Sequence, residues 1–338
     1  MTRPIETPTT ARRIVDLLVA NGVERVFMVP GESFLAVIDA LADAPIETVV
    51  TRHESGAAFM ADATGRLTGR PGIAMVTRAP GATNAFAGLH VAEHDGTPMI
   101  LFVGGVDRGF RHRGAFQEMD YRAVFGSVAK WVVELDDPAR TDEIVSRAFS
   151  VATAGRPGPV VVVLPEDVLG LPASAGEIRP APIVDTHPGS AQMWELQKRL
   201  WAAERPIAIL GGSRWSETAV RRFARFAEKF DLPVACSFRR QMLFDHADPH
   251  YVGDVGLGLD PALAARIRAS DLVLLIGGRF AEVPSQGYEL VDLPFPSQAL
   301  VHVHPSAEEL GRVFRPDLAV HATPAAFAAA AEALEPPP

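Results

Sequence analysis

The sequence opens with an amphipathic segment and then alternates between short apolar runs and segments with helical periodicity. In residues 10–20, Ile14, Leu17 and Leu18 fall on one face, which predicts a helix. Further helices are predicted at 34–41, from 54 onward, from 81 onward and at 141–154. The apolar runs predict strands at 26–29, 46–50, 73–76, 99–103, 130–133 and 158–164. Strands that alternate with helices require crossover connections, so the pattern predicts a parallel sheet.

A second unit of the same kind is predicted after a segment without periodicity. Residues 171–190 are rich in Pro, Ala, Ser and Gly, and we interpret them as a linker between domains 1–170 and 191–338. Helices are predicted at 194–203, 218–230, 261–269 and 325–334, and strands at 207–210, 233–237, 272–276 and 300–303. The predicted fold class is therefore α/β, with two three-layer domains built on parallel sheets.

Composition narrows the classes of protein and of partner. The chain has 338 residues, of which 48% are hydrophobic and 22% charged, a balance typical of globular domains. Its net charge of −9 argues against nucleic acid or an anionic membrane as a partner. The single cysteine, Cys236, fits a reducing compartment and a buried strand. No stretch approaches the ~18 apolar residues of a membrane span. Arg12, Arg13 and Asp16 interrupt any signal-peptide core, so we expect a cytoplasmic protein.

One acidic residue occupies a position at which open α/β sheets place ligands. Glu54 follows the apolar run 46–50, so it is predicted at the carboxyl end of a parallel strand. The predicted helix after it carries small residues that would let another backbone approach closely. They are Gly56, Ala57, Ala58, Ala61 and Ala63. Position alone is more typical of a solvated acid in the first turn of a helix, where the helix dipole favours it.

Several motifs around Glu54 resemble those of a known family. Residues 52–62 read Arg-His-Glu-Ser-Gly-Ala-Ala-Phe-Met-Ala-Asp, and residues 80–84 read Pro-Gly-Ala-Thr-Asn. Together they resemble the pyrimidine-binding domain of thiamine-diphosphate enzymes. Residues 116–120 (Phe-Gln-Glu-Met-Asp) resemble the Phe-Gln-Glu-x-Asp segment of the acetolactate synthase branch. Pyruvate and benzoylformate decarboxylases carry a His pair in this region, and this sequence contains no His-His dipeptide.

The resemblance implies a catalytic role for Glu54. Thiamine diphosphate reacts through carbon C2 of its thiazolium ring, after the cofactor's own amino group removes the C2 proton. A carboxylate shielded from water and bonded to N1′ of the pyrimidine ring favours the required tautomer. By resemblance, Glu54 is that carboxylate. The cofactor would supply the electron sink, and the protein would supply position and electrostatics.

Two glycine turns add implied cofactor contacts. The segment Pro30-Gly31-Glu32 resembles the family's Gly-x-Pro-Gly turn, with Met28 in place of the first glycine. Glu32 is a second catalytic candidate, for proton transfer or substrate contact, or else a structural acid at a helix start. The implied cofactor-binding residues are Pro30, Gly31, Glu54, Pro80, Gly81 and Asn84.

The turn at 80–84 departs from the family in one position. Ala79 replaces the first glycine of the family's Gly-Pro-Gly-x-x-Asn pattern. Its structural interpretation is a strand-to-helix turn in which Thr83 or Asn84 satisfies free amides.

The resemblance places substrate contacts in the long loop 104–120. In acetolactate synthases the Phe and Gln that correspond to Phe116 and Gln117 line the substrate pocket, and Gln117 is our third catalytic candidate. The neighbouring Arg111 and Arg113 could attract the carboxylate of a 2-oxo acid, or simply form a solvated basic loop.

Residues 205–334 resemble the family's central domain, which holds a flavin in acetolactate synthases. Two departures at 302–305 and 255–258 replace the family's Asp-rich and Met-His-Gly segments, so we expect no bound flavin (FAD). His302 and His304 alternate on a predicted strand without an evident third ligand, so we expect no metal site in this chain.

The family also uses a third domain that binds magnesium and the diphosphate at a Gly-Asp-Gly motif. This sequence has no such motif, so we expect an incomplete chain, a fragment rather than a split subunit, that is inactive alone. The expected function is that of a carboligase or decarboxylase acting on a 2-oxo acid such as pyruvate, in a homodimer or homotetramer. The alternative is a non-catalytic nucleotide-binding or regulatory module, with its ligand near Gly211 or Gly277.

Overall fold

The computed structural model describes residues 7–174 and 176–337. The predicted domain and linker ranges also include residues 1–6, Ala175 and Pro338, which lie outside the described residues. The chain divides into two compact units, Met1–Val184 and Asp185–Pro338.

The first unit is built on a parallel sheet of six strands in its described part. They are β1 (Arg25–Met28), β2 (Glu47–Val50), β3 (Gly72–Val76), β4 (Met99–Gly105), β5 (Trp131–Glu134) and β6 (Pro159–Pro165). Their order across the sheet is β2-β1-β3-β4-β6-β5, and all neighbours are parallel. The connection from β3 to its neighbour β4 is a helical crossover, and the other connections also contain helices. This agrees with the predicted alternation of strands and helices.

Helices cover both faces of this sheet. They are α1 (Thr10–Ala20), α2 (Leu35–Ala42), α3 (Glu54–Thr68), α4 (Ala79–Asn84), α5 (Phe86–Asp95), α6 (Tyr121–Phe125), α7 (Thr141–Thr153) and α8 (Glu166–Leu169). Alternate residues of each central strand enter opposite cores. In β4, Ile100 and Phe102 pack in one core, and Leu101 and Val103 pack in the other. The predicted three-layer α/β architecture is confirmed for this unit.

Helix α1 shows how closely local sequence determined local structure. The side chain of Thr9 accepts a hydrogen bond from the Arg12 amide at 3.2 Å and so caps the helix. Ile14, Leu17 and Leu18 are all buried, as the predicted apolar face requires.

The small residues of α3 allow close backbone contacts, as predicted. A Cβ at Gly72 on β3 would lie 2.6 Å from the carbonyl carbon of Ala61, and a Cβ at Gly88 on α5 would lie 2.8 Å from that of Ala58. Helix α3 therefore lies directly against main-chain atoms on two sides, and its first residue is held firmly relative to β3.

The second unit repeats the parallel architecture in its described residues. Its strands are β7 (Pro206–Leu210), β8 (Val234–Ser237), β9 (Tyr251–Val255), β10 (Leu272–Ile276), β11 (Ala299–His304) and β12 (Leu318–His321). Its helices are α9 (Ser190–Ala202), α10 (Glu217–Lys229), α11 (Pro261–Ala269) and α12 (Pro324–Ala331). The sheet order is β12-β11-β10-β7-β8-β9, again parallel throughout. The predicted fold class is confirmed, and the edge strands β9 and β12 are additions to it.

Within the described residues, no helix combines the length and apolar character that crossing a lipid bilayer requires.

Candidate active site

The carboxyl ends of three neighbouring strands bring the predicted site residues together. Strand β1 lies between β2 and β3, with Met28 paired to Val50 on one side and to Met75 on the other. The segment after β1 holds the turn at Pro30, the segment after β2 leads to Glu54, and the segment after β3 leads to α4. This edge is where parallel α/β sheets bind ligands.

Glu54 is buried at the start of α3. Its side chain is 9% exposed, and the preceding His53 caps the helix by accepting a hydrogen bond from the Ser55 amide at 3.2 Å. A buried carboxylate is costly unless hydrogen bonds or cations compensate it. Asn84 Nδ2 donates to Glu54 Oε2 at 2.9 Å, and no lysine or arginine of the described residues forms an ion pair with Glu54. The solvated-acid interpretation of Glu54 therefore does not apply.

Gly81 and Gly31 are needed for close approach at this edge. A Cβ at Gly81 would lie 2.9 Å from Thr77 Cγ2 and 3.2 Å from Glu54 Oε1. A Cβ at Gly31 would collide with the Thr77 side chain, whose hydroxyl is also 2.9 Å from Ser33 Oγ. Thr77 thus sits between both glycine turns. Thr77 was not among the predicted site residues, although its position directly after β3 was a usable signal.

The turn at 80–84 differs from its predicted hydrogen bonding. Thr83 Oγ1 donates to the carbonyls of Ala79 and Pro80, both at 3.0 Å, and Asn84 donates to Glu54. The strand-to-helix turn is present between β3 and α4. Among the described residues neither side chain accepts from a free helix amide, so the predicted hydrogen bonding of Thr83 and Asn84 was wrong. The asparagine instead orients the carboxylate.

Glu32 and Met28 have different surroundings. Glu32 begins a short 3-10 helix (Glu32–Phe34) and is exposed, and no ion pair holds it among the residues that the structure describes. Met28, which stands where the family has a glycine, is fully buried in β1. Its side chain is therefore part of the core.

Glu118 orders the loop after β4 through hydrogen bonds to backbone amides of the same loop. Glu118 accepts hydrogen bonds from the amides of His112 at 2.5 Å and Ala115 at 3.0 Å, and these bonds lower the pKa of Glu118. Gln117 adopts a left-handed conformation with φ of 62°, and its carbonyl accepts from the Ala79 amide at 3.3 Å. The loop is thereby joined to the start of α4, and Phe116 beside it is 77% exposed.

Two buried groups of the second unit are explained by packing. Burial raises the pKa of the Cys236 thiol to about 12, so this cysteine in β8 is an unreactive core residue, as predicted. Burial lowers the pKa of His302 to about 4, and its Nε2 lies 2.9 Å from the Gly278 carbonyl. Within the described residues, no three potential ligands form a metal-binding group.

The glycine turns of the second unit fill each other's space. A Cβ at Gly212 would meet the Gly277 carbonyl carbon at 2.6 Å, and a Cβ at Gly277 would meet Pro324 Cγ at 2.7 Å. Both residues also have positive φ. Packing alone therefore accounts for these glycines, without a ligand.

Comparison with known proteins identifies the class to which both units belong. Residues 8–124 match the family model described as thiamine pyrophosphate enzyme, N-terminal TPP binding domain. Residues 194–331 match the model described as thiamine pyrophosphate enzyme, central domain. The chain therefore belongs to the thiamine pyrophosphate (thiamine diphosphate) enzyme family and carries its N-terminal and central domains.

Within that family the chain is similar to acetolactate synthases, which confirms the resemblance of its motifs. It is 31% identical over 314 residues to acetolactate synthase of Bacillus subtilis (strain 168), covering 91% of this chain and 54% of the relative. It is 34% identical over 311 residues to the catabolic acetolactate synthase of Raoultella terrigena, covering 90% and 54%. The acetolactate synthase isozyme 2 large subunit of Escherichia coli (strain K12) is 32% identical over 276 residues, covering 80% and 49%. The chain spans about half the length of the curated relatives it matches.

Proposed function

We propose that this chain forms the pyrimidine-binding and central parts of a thiamine-diphosphate-dependent enzyme that acts on a 2-oxo acid such as pyruvate. Glu54 is the catalytic carboxylate in this proposal, with Glu32 and Gln117 as further candidates. The observation that carries it is a buried carboxylate at the sheet edge, bonded to Asn84 and lacking a cation partner within residues 7–174 and 176–337. The similarity to acetolactate synthases supports the reaction class.

The residues around Glu54 fit the pyrimidine end of the cofactor. Asn84 engages Oε2, while Gly81 leaves open the space beside Oε1 that a side chain would fill. When bound, the cofactor supplies the electron sink for the reaction. Glu54 would accept and hold a proton at the ring nitrogen N1′, and the turns at Pro30 and Pro80 would shape the adjoining wall.

The diphosphate and magnesium are assigned to groups outside this sequence. The 338 residues contain no Gly-Asp-Gly motif, and the chain spans about half of its relatives. We infer that the chain alone does not turn over and requires residues supplied by a longer chain or by another subunit.

The proposal predicts thiamine in the native protein. Purified from its source, the protein is expected to carry about one thiamine diphosphate per subunit, because Glu54 holds the pyrimidine end. Oxidation to a fluorescent product measures the thiamine, and intact mass shows whether the native chain exceeds 36.2 kDa. Native protein without thiamine and without a co-purifying partner would contradict the proposal.

Product analysis separates the two reaction types. With pyruvate as substrate, a carboligase gives acetolactate and a simple decarboxylase gives acetaldehyde. We favour the carboligase, because residues 116–120 and the similar proteins belong to the acetolactate synthase branch.

We also propose that the second unit holds no flavin. Gly212 and Gly277 occupy each other's space, and His302 is buried against the Gly278 carbonyl, so these groups serve packing. The alternative of a nucleotide-binding module places its ligand near Gly211 or Gly277, and packing against Pro324 already accounts for Gly277.

We propose that the protein assembles as a homodimer or homotetramer, through the face of α3 that begins at Glu54. Phe59, Met60 and Leu67 on this helix are 43%, 44% and 81% exposed. Grouped exposed apolar side chains on one helix are typical of an interface.

The double variant Met60→Glu with Leu67→Glu is expected to raise the dimer dissociation constant by about 100-fold or more, because two charges would be desolvated at the interface. Sedimentation velocity across a concentration series measures it. Leu257→Glu is the matched control, since Leu257 is 76% exposed in the other unit. A parent protein that stays monomeric, or a double variant that dimerises like the parent, would refute this interface.

A further inference from the structure

A cavity of about 350 Å³ lies beside the loop that precedes Gln117. This volume is at the lower end of the range typical of small-molecule sites, ~300–1,000 Å³. Its lining combines two guanidinium groups with apolar side chains. The lining residues are Arg78, Val106, Phe110, Arg113, Ala115 and Phe116.

The positive charge of this cavity is only partly compensated. Arg78 Nη2 bonds to the Glu166 carboxylate, but its buried Nε has no acceptor among the residues that the structure describes. Arg113 is exposed, and within the same residues it forms no ion pair or hydrogen bond. Two arginines and one glutamate leave a formal charge of +1, which matches a single carboxylate.

The rest of the wall is apolar. Phe110 is 54% exposed and Phe116 is 77% exposed, so both phenyl rings present contact area that the fold itself does not use. Aromatic side chains in this state are typical of surfaces that bind apolar groups.

One main-chain segment connects the lining of the cavity to the Glu54 edge. Arg78 directly precedes Ala79, whose amide donates to the carbonyl of Gln117, next to Phe116. Helix α4, which begins at Ala79, carries Gly81 against Glu54 Oε1. Residues 78–81 therefore connect the lining of the cavity to the residue that packs against Glu54.

We propose that Arg78 and Arg113 form a carboxylate subsite that selects 2-oxo monocarboxylic acids with an apolar side chain larger than methyl. The two arginines hold the carboxylate, since guanidinium donors are well matched to it. Phe110 and Phe116 pack on the apolar side chain. This inference rests on the proposed function, because it names the substrate class of the same site.

The test measures binding to the 338-residue chain by ligand-observed NMR and titration calorimetry. The probes are phenylpyruvate, pyruvate and the neutral ketone phenylacetone, which lacks the carboxylate. Phenylpyruvate is expected to bind about tenfold or more tightly than either of the others, because only it offers both groups.

Substitutions assign the binding to the two arginines. Arg113→Gln and Arg78→Gln are each expected to weaken phenylpyruvate binding by about tenfold, and Arg78→Lys by less, because it keeps the charge. Arg140→Gln is the matched control, since it also removes an arginine from an Arg–Glu pair, with Glu143. Thermal unfolding checks that the variants fold, and Arg113 is exposed, so its variant does not disturb the core.

The outcomes separate this inference from the proposed function. Phenylacetone binding as tightly as phenylpyruvate, or equal losses in Arg140→Gln, would overturn the carboxylate subsite. A native enzyme that holds thiamine and consumes pyruvate, yet does not bind phenylpyruvate, would refute the carboxylate subsite and leave the proposed function standing. If phenylpyruvate binding depends on the arginines but the protein never holds thiamine, the subsite would stand and the proposed function would be refuted.

Discussion

Replacing Glu54 by glutamine is expected to reduce turnover of the assembled enzyme by about 10²- to 10⁴-fold, the range typical of losing a positioned proton-transfer group. Glutamine has nearly the same shape, and its amide oxygen can still accept from Asn84 Nδ2. What it loses is the ability to hold a proton at the pyrimidine ring. The measurement is kcat at saturating thiamine diphosphate, with thermal unfolding to show that the fold is intact.

Two companion variants make the result interpretable. Glu47→Gln, an exposed acid on the strand before Glu54, is expected to change turnover by less than about twofold. Glu32→Gln tests the second candidate acid, which is exposed on the neighbouring turn. Near-normal activity of Glu54→Gln would sink the assignment of this residue, whatever the effect at Glu32.

Gly72→Ala is expected to destabilise the first unit by about 3 kcal/mol, a large effect for one methyl group. The new Cβ would lie 2.6 and 2.8 Å from the carbonyl carbon and Cα of Ala61, inside van der Waals contact. These are backbone atoms of α3, so no side chain can rotate away. The unfolding midpoint should fall by roughly 10 °C in calorimetry.

A second glycine provides the control for this change. Gly109 has ordinary φ and nothing within 4 Å of an added Cβ, so Gly109→Ala should leave the midpoint nearly unchanged. Equal stability of Gly72→Ala and the parent would show that α3 can move away from β3. In that case the close contact does not hold Glu54 in place.

The sequence predicted the central strands well, and the edge strands less completely. Strand β10 has its predicted limits, because a continuous apolar run is typical of a strand buried on both faces. Strand β9 was missed, since most of it is half-buried and Gly253 interrupts it. At an edge, one neighbour and partial solvation weaken the apolar pattern, so periodicity carries less information.

The site residues that belong to local sequence motifs could be predicted. The contacts that depend on which strands are neighbours in the sheet could not. Glu54 and Gly81 are 27 positions apart in the sequence, and their motifs were recognisable separately. That Thr77 separates two glycine turns, and that Arg78 enters a cavity with Arg113, follows only from the order of β1, β3 and β4 across the sheet. No local period encodes that order.

The direct backbone contact between α3 and β3 has a mechanical consequence. Side chains that separate two elements can change rotamer when one element moves. Main-chain atoms in direct contact cannot, so a movement of one element displaces the other. Glu54 at the start of α3 and Thr77 at the end of β3 therefore behave as points on one stiff body. Warming should then leave the shape of this edge almost constant until the whole unit loses its structure at once.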